Sequence, residues 1–261
     1  MVLVIIFPLY TAPIVQNIVA IINGAEKWER TFAIDFYILF SIEPWFYYVV
    51  FYLWTGFYMV YSLILLFSSE IHFYTMSLLV SIEFENLADE FGRFDYKYQD
   101  KEDFKKLIDQ HNELLDIVDE LNSLYRVPIF IKFLDSTVLI CFSMLQFFSP
   151  DVLIVSTKIA DIMNIIKFAL YLNGSIMQIF LLCFYGQKIT SANEKISENL
   201  MNGNWYEAAD RKMVKDLHLV LLRSQRPVEL QAYVFFGINM ETFTYVISTA
   251  HSYFSCLNSI R

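Results

Sequence analysis

The sequence predicts an all-α, polytopic membrane helix bundle, and three observations carry the prediction. The 261 residues are 56% hydrophobic and 18% aromatic, with a mean hydropathy of +0.43, whereas a soluble domain is about half apolar and less aromatic. Charges are absent from five runs, 1–25, 44–69, 136–150, 168–187 and 242–260, and crossing a bilayer takes about 20 apolar residues in helical form. The two long segments between these runs, 70–135 and 188–241, keep helical spacing rather than loop composition. Lipid admits only helices or closed barrels, because it cannot satisfy open backbone groups. The strict polar–apolar alternation of a barrel strand is missing.

The first span is expected at 2–22. A signal peptide competes for this run, but a basic leader is missing, Pro8 and Pro13 interrupt it, and Gln16 and Asn17 precede any cleavage site. The connection to Pro44 carries Trp28, Phe32, Phe36 and Tyr37, as an interfacial aromatic belt does. The second span, 45–67, opens on WFYYVVFYLW, more aromatic than a belt requires.

Beyond Glu70 the chain turns amphipathic over 71–128. Phe104, Leu107, Ile108, His111, Leu114, Leu115, Val118 and Leu121 recur at three- and four-residue intervals among acids and lysines, the pattern of a packed helix. The stretch from Asp95 to Asp103 is the expected turn between two such helices. The third span, 129–148, carries Lys132, which can snorkel to the interface, and closes at Ser149-Pro150. The fourth, 163–185, ends at Gly186, where a helix could loosen. A second extramembrane stretch, 188–232, contains helical patterns at 189–201 and 205–222, and Arg226-Pro227 breaks the approach to the fifth span, 242–260. Glu241 at its mouth reads equally as a gate element or as an ordinary span boundary. Glu70 reads as a boundary. No repeat divides the chain, so 1–261 is expected to be a single membrane domain.

Charge and motifs exclude several functions. The net charge of −9 comes mostly from 70–135, and no basic patch interleaved with aromatics suits a nucleic acid. Lys and Arg number two in 26–43, seven in 70–135, two in 151–167 and seven in 188–241. That alternation places the two long connections in the cytosol and, with five spans, the C-terminus outside. Cys141, Cys183 and Cys256 all fall in apolar runs and read as small hydrophobes. The four histidines share no ligand spacing. G-x-S-x-G, a phosphate-cradling glycine loop and H-E-x-x-H are all missing. No catalytic residue, metal or cofactor is therefore expected, and the protein reads as no enzyme. Asn173-Gly174-Ser175 matches a glycosylation sequon but lies within a span.

Several short motifs cluster in the second half: CFYGQ at Cys183–Gln187, NWYEA at Asn204–Ala208, RSQRP at Arg223–Pro227 and S-Y-F at Ser252–Phe254, with His111-Asn112, Leu114 and Leu115 further upstream. Together they resemble the insect odorant receptors. That family has seven spans, and the five here look like its third to seventh, so the chain is expected to be incomplete at its N-terminus. The resemblance implies a plasma-membrane tuning subunit that binds a small volatile odorant and gates a non-selective cation channel. It also implies assembly with the family's co-receptor as a hetero-tetramer, cytosolic helices serving as the anchor between subunits.

For the odorant pocket the resemblance points to Tyr10, Pro13 and Ile14 on the first span, Tyr48, Phe51, Tyr52 and Thr55 on the second, and Met163, Lys167 and Tyr171 on the fourth. For the pore it points to Tyr253, Cys256, Ser259 and Ile260 on the last. A gustatory receptor of the same superfamily competes, although its T-Y-x5-Q-F ending is only half met at Thr244-Tyr245. A membrane transporter also competes, with Lys167 and Glu241 as its nearest ionisable candidates.

Overall fold

The computed structural model describes residues 14, 17–18, 21–22, 45–96, 101–148, 159–207, 211–226, 228–233 and 236–260. The described part of the first span, residues 14, 17, 18, 21 and 22, is helical. Five long helices follow: α1 Trp45–Arg93, α2 Lys101–Phe147, α3 Ile159–Asn202, α4 Arg211–Ser224 and α5 Met240–Ile260. A 3-10 turn, Trp205–Glu207, follows α3. A two-stranded antiparallel ribbon, β1 Gln231–Ala232 and β2 Phe236–Gly237, precedes α5, with Gln231 opposite Gly237 and Ala232 opposite Phe236.

Among the described residues, three helices are long and apolar enough to cross a membrane: Trp45–Arg93, Lys101–Phe147 and Phe168–Asn202. At about 1.5 Å per residue, the 49 residues of α1 reach roughly 70 Å, against about 30 Å of hydrocarbon. Each of these helices therefore continues well past any bilayer it crosses. As the resemblance implies for the corresponding spans of the family, the second to fourth spans each continue as one helix into the adjoining amphipathic stretch. α2 passes through Pro128, which removes a backbone donor at a cost of about 3 kcal/mol. Leu121, Ile129 and Phe133, buried on either side, hold it straight enough to continue. α3 likewise runs through Gly186 without loosening. One helix ends at Arg93 and the next begins at Lys101, in keeping with the turn expected before Asp103.

The chain divides into two compact units. One comprises Met1–Glu70, Leu139–Ser175 and Ser252–Arg261, the other Ile71–Val138 and Ile176–His251. In the first unit, α1 exposes Phe46, Leu53, Trp54, Phe57 and Tyr58 and buries Tyr48, Tyr52 and Thr55. Apolar side chains turned outward on a helix of this length fit a lipid solvent. Glu70 is buried as well, which a boundary residue of α1 need not be.

The second unit has the inverse pattern, with an apolar interior and a charged exterior. Phe73, Val80, Phe84, Leu87 and Phe91 of α1 are buried at spacings of seven, four, three and four. They meet a matching stripe on α2, Phe104, Leu107, His111, Leu115, Val118 and Leu121, and one on α3, Ile189, Ala192, Ile196 and Leu200. Phe91 and Phe94 pack edge-on or tilted against Phe104 at 6.1 and 5.4 Å between ring centroids. Each buried side chain of this size stabilises the unit by roughly 1.5–3 kcal/mol, which is how the long amphipathic stretches find the partners their periodicity requires.

Candidate functional site

In the first unit an aromatic face forms on α1. Tyr48, Phe51, Tyr52 and Thr55 fall at i, i+3, i+4 and i+7, hence on one side of the helix. The Tyr48 and Tyr52 rings lie 5.9 Å apart, and Trp45 meets Tyr48 edge-on at 5.7 Å. Thr55 donates its hydroxyl to the Tyr52 carbonyl at 2.9 Å, the back-bond by which a threonine settles into a helix. Tyr48, Tyr52 and Thr55 are buried and Phe51 is half-buried. Two phenols and a hydroxyl on an otherwise apolar face match the composition of small-molecule pockets, mostly hydrophobic with a few polar groups.

The other expected pocket residues are less informative. Ile14 and Tyr171 are half-buried on their helices. Tyr10 and Pro13 lie outside the described residues. Met163 and Lys167 are helical within α3, and their side chains lie outside the described part.

The last helix is of a different kind. α5 is 21 residues long, enough to span a bilayer, yet it carries Thr242, Thr244, Ser248, Thr249, His251, Ser252, Ser255, Asn258 and Ser259 and lacks the long apolar stretch that the three membrane-length helices have. Asn239 caps it, accepting the Thr242 N–H on its side-chain oxygen at 2.9 Å. Glu241 is exposed in the first turn, where a carboxylate is favoured by the helix dipole, so its position follows from helix chemistry. Val246 and Ala250 are buried and Phe254 packs on Phe148 at 5.6 Å. From His251 to Ser259 every side chain except that of Phe254 is exposed, Tyr253, Cys256 and Ser259 among them. Ser259 donates to the Cys256 carbonyl at 2.7 Å. The Ile260 side chain lies outside the described part.

A third arrangement escaped sequence reasoning, although RSQRP opens it, because its partners lie on other helices. The chain between α4 and α5 is held on two sides within the second unit. Thr190 of α3 donates to the Val228 carbonyl at 3.0 Å, and Asn193 Nδ2 to the Ser224 carbonyl at 3.2 Å. From α2, the Asn122 side chain accepts the Gln231 N–H at 2.8 Å, and the Arg126 carbonyl accepts the Tyr233 N–H at 3.0 Å. The Tyr233 ring lies 5.6 Å from that of Phe130, with its backbone at φ 60°, a conformation costly for any residue with a side chain.

His111 approaches Asn193 Oδ1 at 3.4 Å from its Nε2. Because the Ser224 carbonyl can only accept, the Asn193 amide faces it and its oxygen faces the imidazole, so Nε2 carries the proton. Burial holds His111 below its usual range, and the nearby Arg223 adds to this against the opposing Asn193 bond.

A groove of about 270 Å³ also lies in the second unit, between α1 and α2, with Glu83, Glu90, Glu113, Asn86 and Gln110 around Leu87, Leu114 and Ile117. Three carboxylates suit no neutral volatile, so it does not compete with the aromatic face for that role.

The sequence profile described as the 7tm odorant receptor matches residues 1–251. Odorant receptor 85c of Drosophila melanogaster is 29% identical over 158 residues, 59% of this chain and 37% of that receptor. Odorant receptor 85b of the same species is 25% identical over 199 residues, 74% of this chain and 48% of that receptor. The chain thus spans less than half the length of these relatives. Among solved structures, the insect olfactory receptor OR5 from Machilis hrabei in complex with eugenol superposes with a TM-score of 0.78 at 15% identity, covering 97% of this chain and 62% of that one. At that identity the likeness is one of fold.

Proposed function

This chain belongs to the 7tm odorant receptor family, and from that premise we propose that it is the odorant-tuning part of a ligand-gated cation channel. The family is one of multi-pass membrane receptors and not of enzymes. The profile match also decides against the gustatory and transporter alternatives.

One observation carries the channel reading. α5 has the length of a span, but its exposed half presents hydroxyls, an amide and a histidine. Such groups are expensive against hydrocarbon. A helix of this kind belongs against water or another subunit, and a pore formed by several copies offers both. Tyr253, Cys256, Ser259 and Ile260 then line the conduction path, where an apolar constriction gates by dewetting. The odorant occupies the aromatic face of α1 in the outer half of the bundle, with Tyr48, Phe51, Tyr52 and Thr55 as its walls and Ile14 and Tyr171 near it in role. Tyr10, Pro13, Met163 and Lys167 complete the pocket by family resemblance.

The receptor sits in the plasma membrane with its C-terminus outside and assembles with a co-receptor as a hetero-tetramer. Leu219 and Leu222 are exposed one turn apart on α4, which gives that helix an apolar edge for packing against a neighbouring subunit. Binding favours the open state and shifts a pre-existing equilibrium.

The test is current from oocytes that express this chain, together with any coding sequence preceding it at its locus, alongside the co-receptor. A volatile panel that includes eugenol is applied, with co-receptor alone as control. Odorant-evoked cation current absent from the control is the expected result. Both subunits at the surface with no evoked current across the panel contradicts the reading.

A further inference from the structure

We propose that one face of α3, formed by Gly186, Thr190 and Asn193, positions the segment that leads into the last helix and thereby sets the channel's closed–open equilibrium. The proposal rests on the channel reading above. The three residues fall at i, i+4 and i+7, on a single side of α3. Each meets a different backbone carbonyl of the same stretch of chain. Asn193 donates to that of Ser224, Thr190 to that of Val228, and Gly186 closes on that of Ile238. A Cβ at Gly186 would stand 2.7 Å from Ile238 Cγ2 and closer still to the Ile238 carbonyl oxygen.

Glycine within a helix costs about 1 kcal/mol against alanine, so its presence in the middle of α3 needs a packing reason. The approach of Ile238 supplies one. Asn193, Thr190, Ser224 and Ile238 are all buried. Leucines on this face would seat the segment by burial alone, but burial is non-directional and tolerates sliding. Hydrogen bonds to two particular carbonyls, those of Ser224 and Val228, do not. A one-residue slip leaves buried donors unmade, and each costs on the order of 1–3 kcal/mol.

From the opposite side Asn122 and Arg126 of α2 hold Gln231 and Tyr233. The strained φ of Tyr233 is the kind of local cost that persists only where the surroundings fix the backbone. The held segment ends at Ile238, next to the Asn239 cap of α5. A displacement of α3 relative to α2 is therefore delivered at the first turn of the pore helix within two residues.

The experiment is a concentration–response measurement on the full receptor with its co-receptor, at matched surface level, for Thr190→Val, Thr190→Ser and Gly186→Ala. Thr190→Val keeps the shape and loses the donor. It should shift the half-maximal odorant concentration by about three- to tenfold, the size of one buried hydrogen bond, and change the ratio of odorant-free to odorant-evoked current. Thr190→Ser, which keeps the hydroxyl, should restore wild-type behaviour; a merely volume-filling role would predict the opposite order. Gly186→Ala should shift the same ratio further, and if it fails to reach the surface the Thr190 pair decides. Wild-type concentration–response and odorant-free current in Thr190→Val would overturn the positioning role while leaving the channel reading intact. A wild-type receptor silent at the surface fails the channel reading instead, and the positioning role with it.

Discussion

His111 carries the clearest chemical consequence at the scale of single residues. It is buried on α2 with its Nε2 proton directed at Asn193, and burial lowers its affinity for a second proton below the ordinary value of 6.5. The unfolded chain therefore binds more protons here than the folded one as pH falls, and stability must fall with it. The contribution is fully present above about pH 6.5 and is lost progressively as acid brings the folded group to charge. The detergent-purified receptor should show a Tm that is level near neutrality and declines below that point. In His111→Gln the decline should be shallower, and equal slopes would place the acid sensitivity elsewhere.

The ion pair of Lys195 with Glu85, at 2.6 Å, is half-exposed at both ends, so solvent screening limits its worth. Lys195→Ala should cost no more than about 1 kcal/mol in urea denaturation of the same preparation. In the proposed pocket, Tyr52→Ala should raise the half-maximal odorant concentration at least about tenfold, a loss typical of a buried aromatic anchor, with surface labelling unchanged.

At the scale of elements, the long helices of the second unit depend on their shared stripe. Phe84 is fully buried and meets the His111 ring edge-on at 6.3 Å. Phe84→Ala leaves a cavity at the junction of α1 and α2 and should cost about 3–5 kcal/mol, read as a lowered Tm. Substituting the exposed Leu79 should cost within about 0.5 kcal/mol.

Much of this architecture is legible in the sequence. The periodicity from Phe104 to Leu121 marks the buried face of α2, because a packed helix must repeat its apolar residues near every 3.6. Helix boundaries were less legible. Pro128 and Gly186 look like interruptions, yet tertiary packing carries α2 and α3 through both. The hydrophobic turns of Leu217 and Val220 in α4 were visible, but not the start of that helix at Arg211. The ribbon before α5 was not legible at all. Its strands are two residues each, too short for any alternation, and what holds it are backbone groups paired with Asn122, Arg126, Thr190 and Asn193, which no local pattern in 228–238 encodes.

At the scale of the whole molecule, the family was already present in CFYGQ and RSQRP, both inside the stretch that the profile matches. The channel proposal turns on α5, whose exposed half carries hydroxyls, an amide and a histidine and is proposed to line a water-filled pore. Cys256, exposed on that half, provides a native probe of the claim. The decisive measurement applies a charged, membrane-impermeant thiol reagent to the co-expressed receptor during odorant-evoked current, with Cys256→Ser as its comparison. Progressive loss of current in the native receptor and its persistence in Cys256→Ser is the predicted result. Equal currents in the two, with mass spectrometry showing Cys256 labelled in the native chain, would contradict a pore lined by this helix.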